Sequence, residues 1–273
     1  MAPEQLDALA LGLGGALVGL VVGSFLTVVI SRVPDRASLW PRSACPACGH
    51  RIAAYDNIPL ISWLALRGRC RHCQAPISPF YPAVEAATAL VFAAIGVFMR
   101  PVAVIPAYLY AAAAGLALAL IDARTRRLPD AIVYPSYPVL AALLAGASWL
   151  SGDWGALGRG AIGALGLLAF YLLLAFVPVG RGPDGPKWGM GLGDAKLAGL
   201  IGLALAYRGW GPFAIGALAA FMLGALWGIG MMAKHRGQGR LTIPFGPWMC
   251  AGAAAGVAFG APLWEIYRGL MAF

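Results

Sequence analysis

The sequence predicts an all-α membrane protein of about eight transmembrane helices, with one small polar module inserted between helices 1 and 2. Three observations predict it. Of the 273 residues, 60% are hydrophobic and only 11% charged, where a soluble domain carries about 25% charged residues. The excess of Ala, Leu and Gly falls in long runs, each near the ~20 residues that cross a bilayer as a helix. A single long polar stretch, residues 32–80, interrupts that pattern.

The runs place spans at roughly 8–31, 83–99, 102–121, 131–150, 159–178, 194–206, 212–233 and 247–267. The first reads as a retained span rather than a removable signal peptide. It exceeds the roughly 7–15 residues of a signal core and is preceded by Glu4 and Asp7 instead of Lys or Arg. The sixth is short in apolar terms and extends toward the loop after Tyr207. The organisation expected is a first helix (1–31), the module (32–80) and a helical core of about seven spans (81–273).

Charge then orients the chain. With both termini outside, the inside segments 32–80, 122–130, 180–196 and 234–240 hold 16 of the 20 Lys and Arg. The outside loops keep only Arg100, Arg159, Arg208 and Arg268. Cytoplasmic loops are rich in Lys and Arg, so the module is expected in the cytoplasm. The net charge of +9 therefore reports topology, with anionic lipid as a further contact. No basic patch interleaved with aromatics is evident, so no nucleic-acid partner is expected.

The module contains four of the five cysteines, as Cys45-Pro-Ala-Cys48 and Cys70-Arg-His-Cys73, with 21 residues between the pairs. Two such knuckles can fold over to place four thiolates around one tetrahedral Zn²⁺. The alternative is a pair of disulfides, which a reducing cytoplasm disfavours. A closed four-cysteine site has no open coordination position, so the metal would be structural and would replace the core that so short a domain lacks. His50 and His72 beside the knuckles read as loop residues able to replace a ligand, and Cys250 as a small packing residue in the last span.

Two acids stand at the edges of spans: Asp122 in "LALALIDARTRRLPDAIVYP" and Asp194 in "GMGLGDAKLAGL". Charging an acid there costs several kcal/mol unless it is paired or wet, which makes each a functional candidate. Both map to the cytoplasmic side. Two carboxylates that meet share a proton, so one can act as general base on water while the other polarises a peptide carbonyl. Gly191 and Gly193 would let a substrate backbone approach. Blander readings stand beside this one. Asp194 and Asp130 suit helix caps, and Asp122 can be an interfacial acid balanced by Arg124, Arg126 and Arg127.

Taken together, these stretches resemble the bacterial type IV prepilin peptidases, the bifunctional leader peptidase and N-methyltransferase family of aspartyl proteases with a GxGD motif. The resemblance runs through "GLVVGSFLTVVISRVP", the tetracysteine stretch ending "ISPFYPAVE", "IDARTRRLPD", "GMGLGDAKL" and "IPFGP" (Ile243 to Pro247). Thr27 stands where the family has asparagine, and Phe80 where arginine is usual.

The resemblance implies Asp122 and Asp194 as the catalytic pair, with Asp130 the second choice for the first acid. It implies Zn²⁺ on Cys45, Cys48, Cys70 and Cys73. The implied substrate is a prepilin or pseudopilin of the pilus or type II secretion systems, at the inner membrane. It is cut after Gly at the end of a basic leader, then methylated on the new N-terminus with S-adenosylmethionine. No methyl-donor residue is assigned. Glu85 and Tyr81, just after the module, are the candidates, and a helix-start acid at a positive dipole end is the structural alternative for Glu85. Three other readings remain at this stage: a peptidase without methyl transfer, a polytopic transporter, and an assembly scaffold that docks through its zinc loop.

Overall fold

The computed structural model describes residues 3–40, 42–182, 185–188, 190–234 and 244–271. Gly189, Ile243 and most of the basic segment 234–240 lie outside the described residues. In chain order the helices are α1 (Pro3–Arg32), a short α2 (Ile61–Ala65), α3 (Phe80–Phe98), α4 (Ile105–Thr125), α5 (Asp130–Ser151), α6 (Trp154–Ala175), α7 (Leu192–Arg208), α8 (Trp210–Lys234) and α9 (Gly246–Met271). Each predicted span has its helix, and seven of them are long and apolar enough to cross a membrane. The chain is a multi-pass membrane protein. The eighth, α7, has 17 residues, about 25 Å of helix, and is the run the sequence marks as short.

Capping moves some boundaries outward. α6 begins at Trp154 rather than near 159 because Asp153 Oδ1 accepts the Ala156 N–H at 2.9 Å. One feature is additional to the helices. Strands β1 (Pro178–Gly182) and β2 (Gly185–Trp188) pair antiparallel between α6 and α7, with Gly182 opposite Gly185. Stretches this short and rich in Pro and Gly carry no readable strand period.

The chain forms two compact units, Met1–Ala113 and Ala114–Phe273, with the boundary inside α4. In the first unit α1 packs along α3. Their backbones approach so closely that a Cβ on Gly15 would lie 2.5 Å from the Phe92 carbonyl oxygen, and one on Gly19 2.7 Å from the Ala89 Cα. Close backbone approach through small residues is the main source of helix association in lipid.

In the second unit α6 packs on α7 and α8 on α9, while α7 also touches α5, α8 and α9. α7 is thus the enclosed helix, and its Ala, Gly and Leu positions from Ala195 to Ala206 are largely buried. Its neighbours turn leucines such as Leu165 and Leu226 outward. The core joins Leu118, Val133, Leu167, Tyr171, Ala195, Leu197, Ala198 and Met249. Leu118 lies one turn before Asp122, and Ala195 directly follows Asp194, so this cluster anchors the helix ends that carry the acids.

Candidate active site and metal centre

The two cysteine knuckles are local copies of one another. In the first, the Cys45 N–H donates to the His50 carbonyl and the Gly49 N–H to the Cys45 carbonyl, both at 2.9 Å, with Gly49 at φ +69°. In the second, the Cys70 N–H donates to the Ala75 carbonyl at 2.9 Å and the Gln74 N–H to the Cys70 carbonyl at 3.0 Å, with Gln74 at φ +57°. Each turn thereby aims two sulfurs inward.

All four sulfurs lie within 4.8 Å of one another, and Cys45 Sγ is 3.7 Å from Cys73 Sγ. Four sulfurs at about 2.3 Å from a tetrahedral metal are about 3.8 Å apart, so a small contraction of the set would enclose a metal ion. All five cysteines are free thiols, which excludes the disulfide alternative in this structure. The backbone N–H groups of Cys48 and Ala47 draw the Cys45 thiol down to about 6. At Cys73 the Ala75 N–H also lowers the value, but burial and the neighbouring sulfurs outweigh it and carry the thiol up to about 11. Thiols packed this closely ionise together only around a cation.

His50 and His72 stack on each other, with ring centroids 3.5 Å apart. The four cysteines complete the donor set without them. Within 33–79 the buried residues among those described are Cys45, Ser62, Gly68 and Cys70, so no apolar core holds the module. A bidentate bridge from Arg71 to Asp56, at 2.5 and 2.9 Å, ties the second knuckle to the intervening loop. The Arg71 guanidinium holds the Asp56 carboxyl below the usual carboxylate range. The bridge is therefore intact at neutral pH and weakens only in acid, as pH falls through that depressed value.

The acids belong to the second unit. Asp122 sits in the last turn of α4 and is 5% exposed. Its Oδ2 accepts the Gly246 N–H at 2.9 Å, one of the N–H groups that the start of α9 leaves without an intrahelical partner. Asp194 sits in the first turn of α7, where its Oδ2 accepts the Gly191 N–H at 3.3 Å. It therefore caps its helix, as the blander reading expects. It also lies in the neighbourhood of Asp122, 72 positions away in sequence: Leu118 and Ala195, beside the two acids, share one core, and Phe245, next to the Gly246 that binds Asp122, packs against Tyr171. Tyr171, close enough to Asp194 to interact with it, stacks with Phe221 and Phe245 at 5.4 and 6.3 Å between ring centroids. These rings form an apolar flank beside the acids.

Comparison with known proteins then identifies the chain. Residues 17–99 match the bacterial peptidase A24 N-terminal domain, and residues 109–229 match the type IV leader peptidase family. A prepilin leader peptidase/N-methyltransferase of Burkholderia pseudomallei (strain 1026b) is 37% identical over 93% of this chain and 87% of its own. Proteins of the same name from Aeromonas hydrophila and Pseudomonas aeruginosa are 35% and 32% identical, each over 92% of this chain and 91% of theirs. This chain belongs to the type IV leader peptidase family. No solved structure gives a significant match. Membership sets aside the transporter and scaffold readings.

Within this leader peptidase, Asp130 is engaged elsewhere. It is the first residue of α5, and its Oδ1 accepts from Lys196 Nζ at 2.7 Å. Lys196 Nζ also lies 4.8 Å from the Tyr134 ring centroid, and its carbonyl accepts the Tyr137 hydroxyl at 2.6 Å. Three residues of α5 thus clasp the turn that carries Asp194. A Cβ at Gly193 would lie 3.2 Å from the Leu128 Cβ, and one at Gly191 3.3 Å from the Asp194 carboxylate.

Gly246 is the functional residue that sequence reasoning passed over. "IPFGP" signals the family without showing that its glycine N–H binds Asp122, where a Cβ would come within 2.8 Å of Oδ2. In the first unit Glu85 is 8% exposed, and its Oε2 accepts the Leu60 N–H at 2.8 Å. Tyr81, one turn earlier, is exposed.

Proposed function

We propose that the chain removes the leader of type IV prepilins and pseudopilins by aspartyl proteolysis and methylates the new N-terminal residue. The observation that carries the reading is that one shared core and the start of α9 bring the helix ends bearing Asp122 and Asp194 together in a chain of the leader peptidase family. Two carboxylates in this relation hold one proton between them. The ionised member takes a proton from water, and the protonated member donates to the carbonyl of the scissile peptide. The Gly246 N–H on Asp122 and the Gly191 N–H on Asp194 each leave the second carboxylate oxygen for this work. Gly191 and Gly193 line the substrate's approach. A glycine before the cut favours local unwinding of a helical substrate, and the substrate's apolar segment stays in lipid.

The residues of the cysteine module fit zinc, and Cys45, Cys48, Cys70 and Cys73 would hold it as a structural ion. S-adenosylmethionine supplies an electrophilic methyl carbon on a sulfonium, with Glu85 and Tyr81 as the residues proposed to meet it. The excess of Lys and Arg in the segments joined to these sites supports a cytoplasmic location for both, with the termini outside the inner membrane. We further propose the division into a first helix (1–31), a zinc module (32–80) and a protease core (81–273).

The test is cleavage of a prepilin by the purified chain in detergent, comparing wild type with Asp122→Asn and Asp194→Asn. The product is weighed with and without S-adenosylmethionine. Cleavage after Gly by wild type alone, with a methyl mass only in the presence of the donor, is the expected result. A folded variant that cuts at the wild-type rate removes that acid from the mechanism.

A further inference from the structure

The match to the peptidase family model begins at residue 109, and both acids lie in the second unit. The first unit nevertheless contains a large cavity of its own. It is formed by the end of α1, the cysteine module and the start of α3, and has a volume of about 830 Å³. This lies within the roughly 300–1,000 Å³ typical of small-molecule sites.

The charged groups on its wall are not equivalent. Asp56 is occupied by Arg71 through a bidentate bridge, and Arg32 donates to the carbonyls of Ser38 and Leu39. Glu85 is different. It is more than nine-tenths buried and lines the cavity. Among the described residues its carboxylate has only the Leu60 N–H as a partner, and no ion pair. A buried carboxylate without a cation is costly, so an acid kept in this way marks a site for a positive group. Arg51, also on the wall, makes no ion pair among the described residues.

One uncommitted anion, one uncommitted cation and the aromatic residues Trp63 and Tyr81 therefore share one cavity. A ligand that matches all three is amphoteric and carries a flat ring system. We propose that this cavity binds the methyl donor S-adenosylmethionine, with Glu85 facing its cationic groups, Arg51 its carboxylate and the aromatic residues its base. The proposal rests on the reading that the chain is a methyltransferase, and it deepens that reading by giving the donor a cavity within the first unit.

The decisive measurement is equilibrium binding of radiolabelled S-adenosylmethionine to the purified, zinc-loaded full chain in detergent. Wild type, Glu85→Gln and Arg51→Gln are compared, and prepilin cleavage is measured on the same samples as the check of folding. Saturable binding by wild type is expected. Affinity should fall about ten-fold or more in Glu85→Gln and several-fold in Arg51→Gln, with cleavage retained in both. Wild-type affinity in both variants places the donor elsewhere and overturns the proposal.

If wild type transfers methyl groups but its bound donor cross-links under ultraviolet light only outside residues 21–85, the site is wrong and the methyltransferase reading survives. Absence of both binding and methyl transfer by wild type overturns the two together. The cross-linking is done on wild type, so it decides the matter even where Glu85→Gln fails to fold.

Discussion

The cysteine cluster and the aspartate pair reach their geometry by opposite routes. Each knuckle is closed by hydrogen bonds spanning four or five residues, such as Cys45 N–H to His50 and Cys70 N–H to Ala75. The sulfurs then need only one chain reversal to meet, and almost nothing else in the module is buried. Metal binding at the four sulfurs, worth roughly 10–16 kcal/mol in small structural zinc sites, would be the term that holds such a domain. The aspartates have no local device to bring them together. Asp122 is positioned by the first residue of α9, 124 positions later, and Asp194 by the packing of α7 inside α5, α6, α8 and α9. A site built from local turns can be lost by removing one ion, whereas a site built from helix packing is lost by displacing a backbone.

That difference can be tested by substitutions that act on one site and spare the other. The largest effect is expected from the acids themselves. Asp122→Asn or Asp194→Asn should lower prepilin cleavage by at least about a thousand-fold, with zinc content by elemental analysis unchanged. Next comes metal removal. Cys45→Ser, or a strong chelator, should strip the zinc and expose residues 42–79 to limited proteolysis. The helices of the second unit should stay protected from amide exchange. If the module resists protease without metal, its stability has another source.

A smaller effect is expected at the backbone that positions Asp122. Gly246→Ala puts a Cβ within 2.8 Å of Oδ2 and should lower kcat for cleavage roughly 10- to 100-fold, the scale of an ångström-sized misplacement. Substrate KM should change much less. A wild-type kcat in this variant shows that the Gly246 N–H does not set the acid's position.

The smallest effect is expected at the clasp on α7. The Asp130–Lys196 pair is partly exposed, and pairs of that kind are worth about 1 kcal/mol or less. Asp130→Asn should therefore change cleavage by no more than about five-fold, and the reversed pair Asp130→Lys with Lys196→Asp should regain what is lost. A thousand-fold loss in Asp130→Asn would instead make Asp130 the first catalytic acid.

The same contrast governs what could be read in advance. Runs of Leu, Ala and Gly long enough to cross a bilayer, and two C-x-x-C knuckles at a fixed separation, are short-range patterns that any observer of the chain can count. From them came the eight span helices, the inserted module and its four clustered cysteines. Helix ends were less legible, since Asp153 adds a turn to α6 that hydropathy does not show. The β1–β2 pairing was not legible, because Pro and Gly at this density obscure the strand period.

The candidate pair of acids lies between these cases. Asp122 and Asp194 were conspicuous because ionisable residues at the edge of a span are costly, yet nothing in the sequence between them, 72 positions apart, says that they come together. The shared core beside them, the Gly246 N–H on Asp122, the binding of Asp130 to Lys196 and the enclosure of Glu85 beside a cavity are long-range facts. By itself the sequence determined the membrane class, the helices and the paired cysteine turns, because each follows from interactions within a few turns of chain. Tertiary structure alone decided which acids come into one neighbourhood and which is bound to a lysine, because those depend on how helices distant in sequence pack side by side.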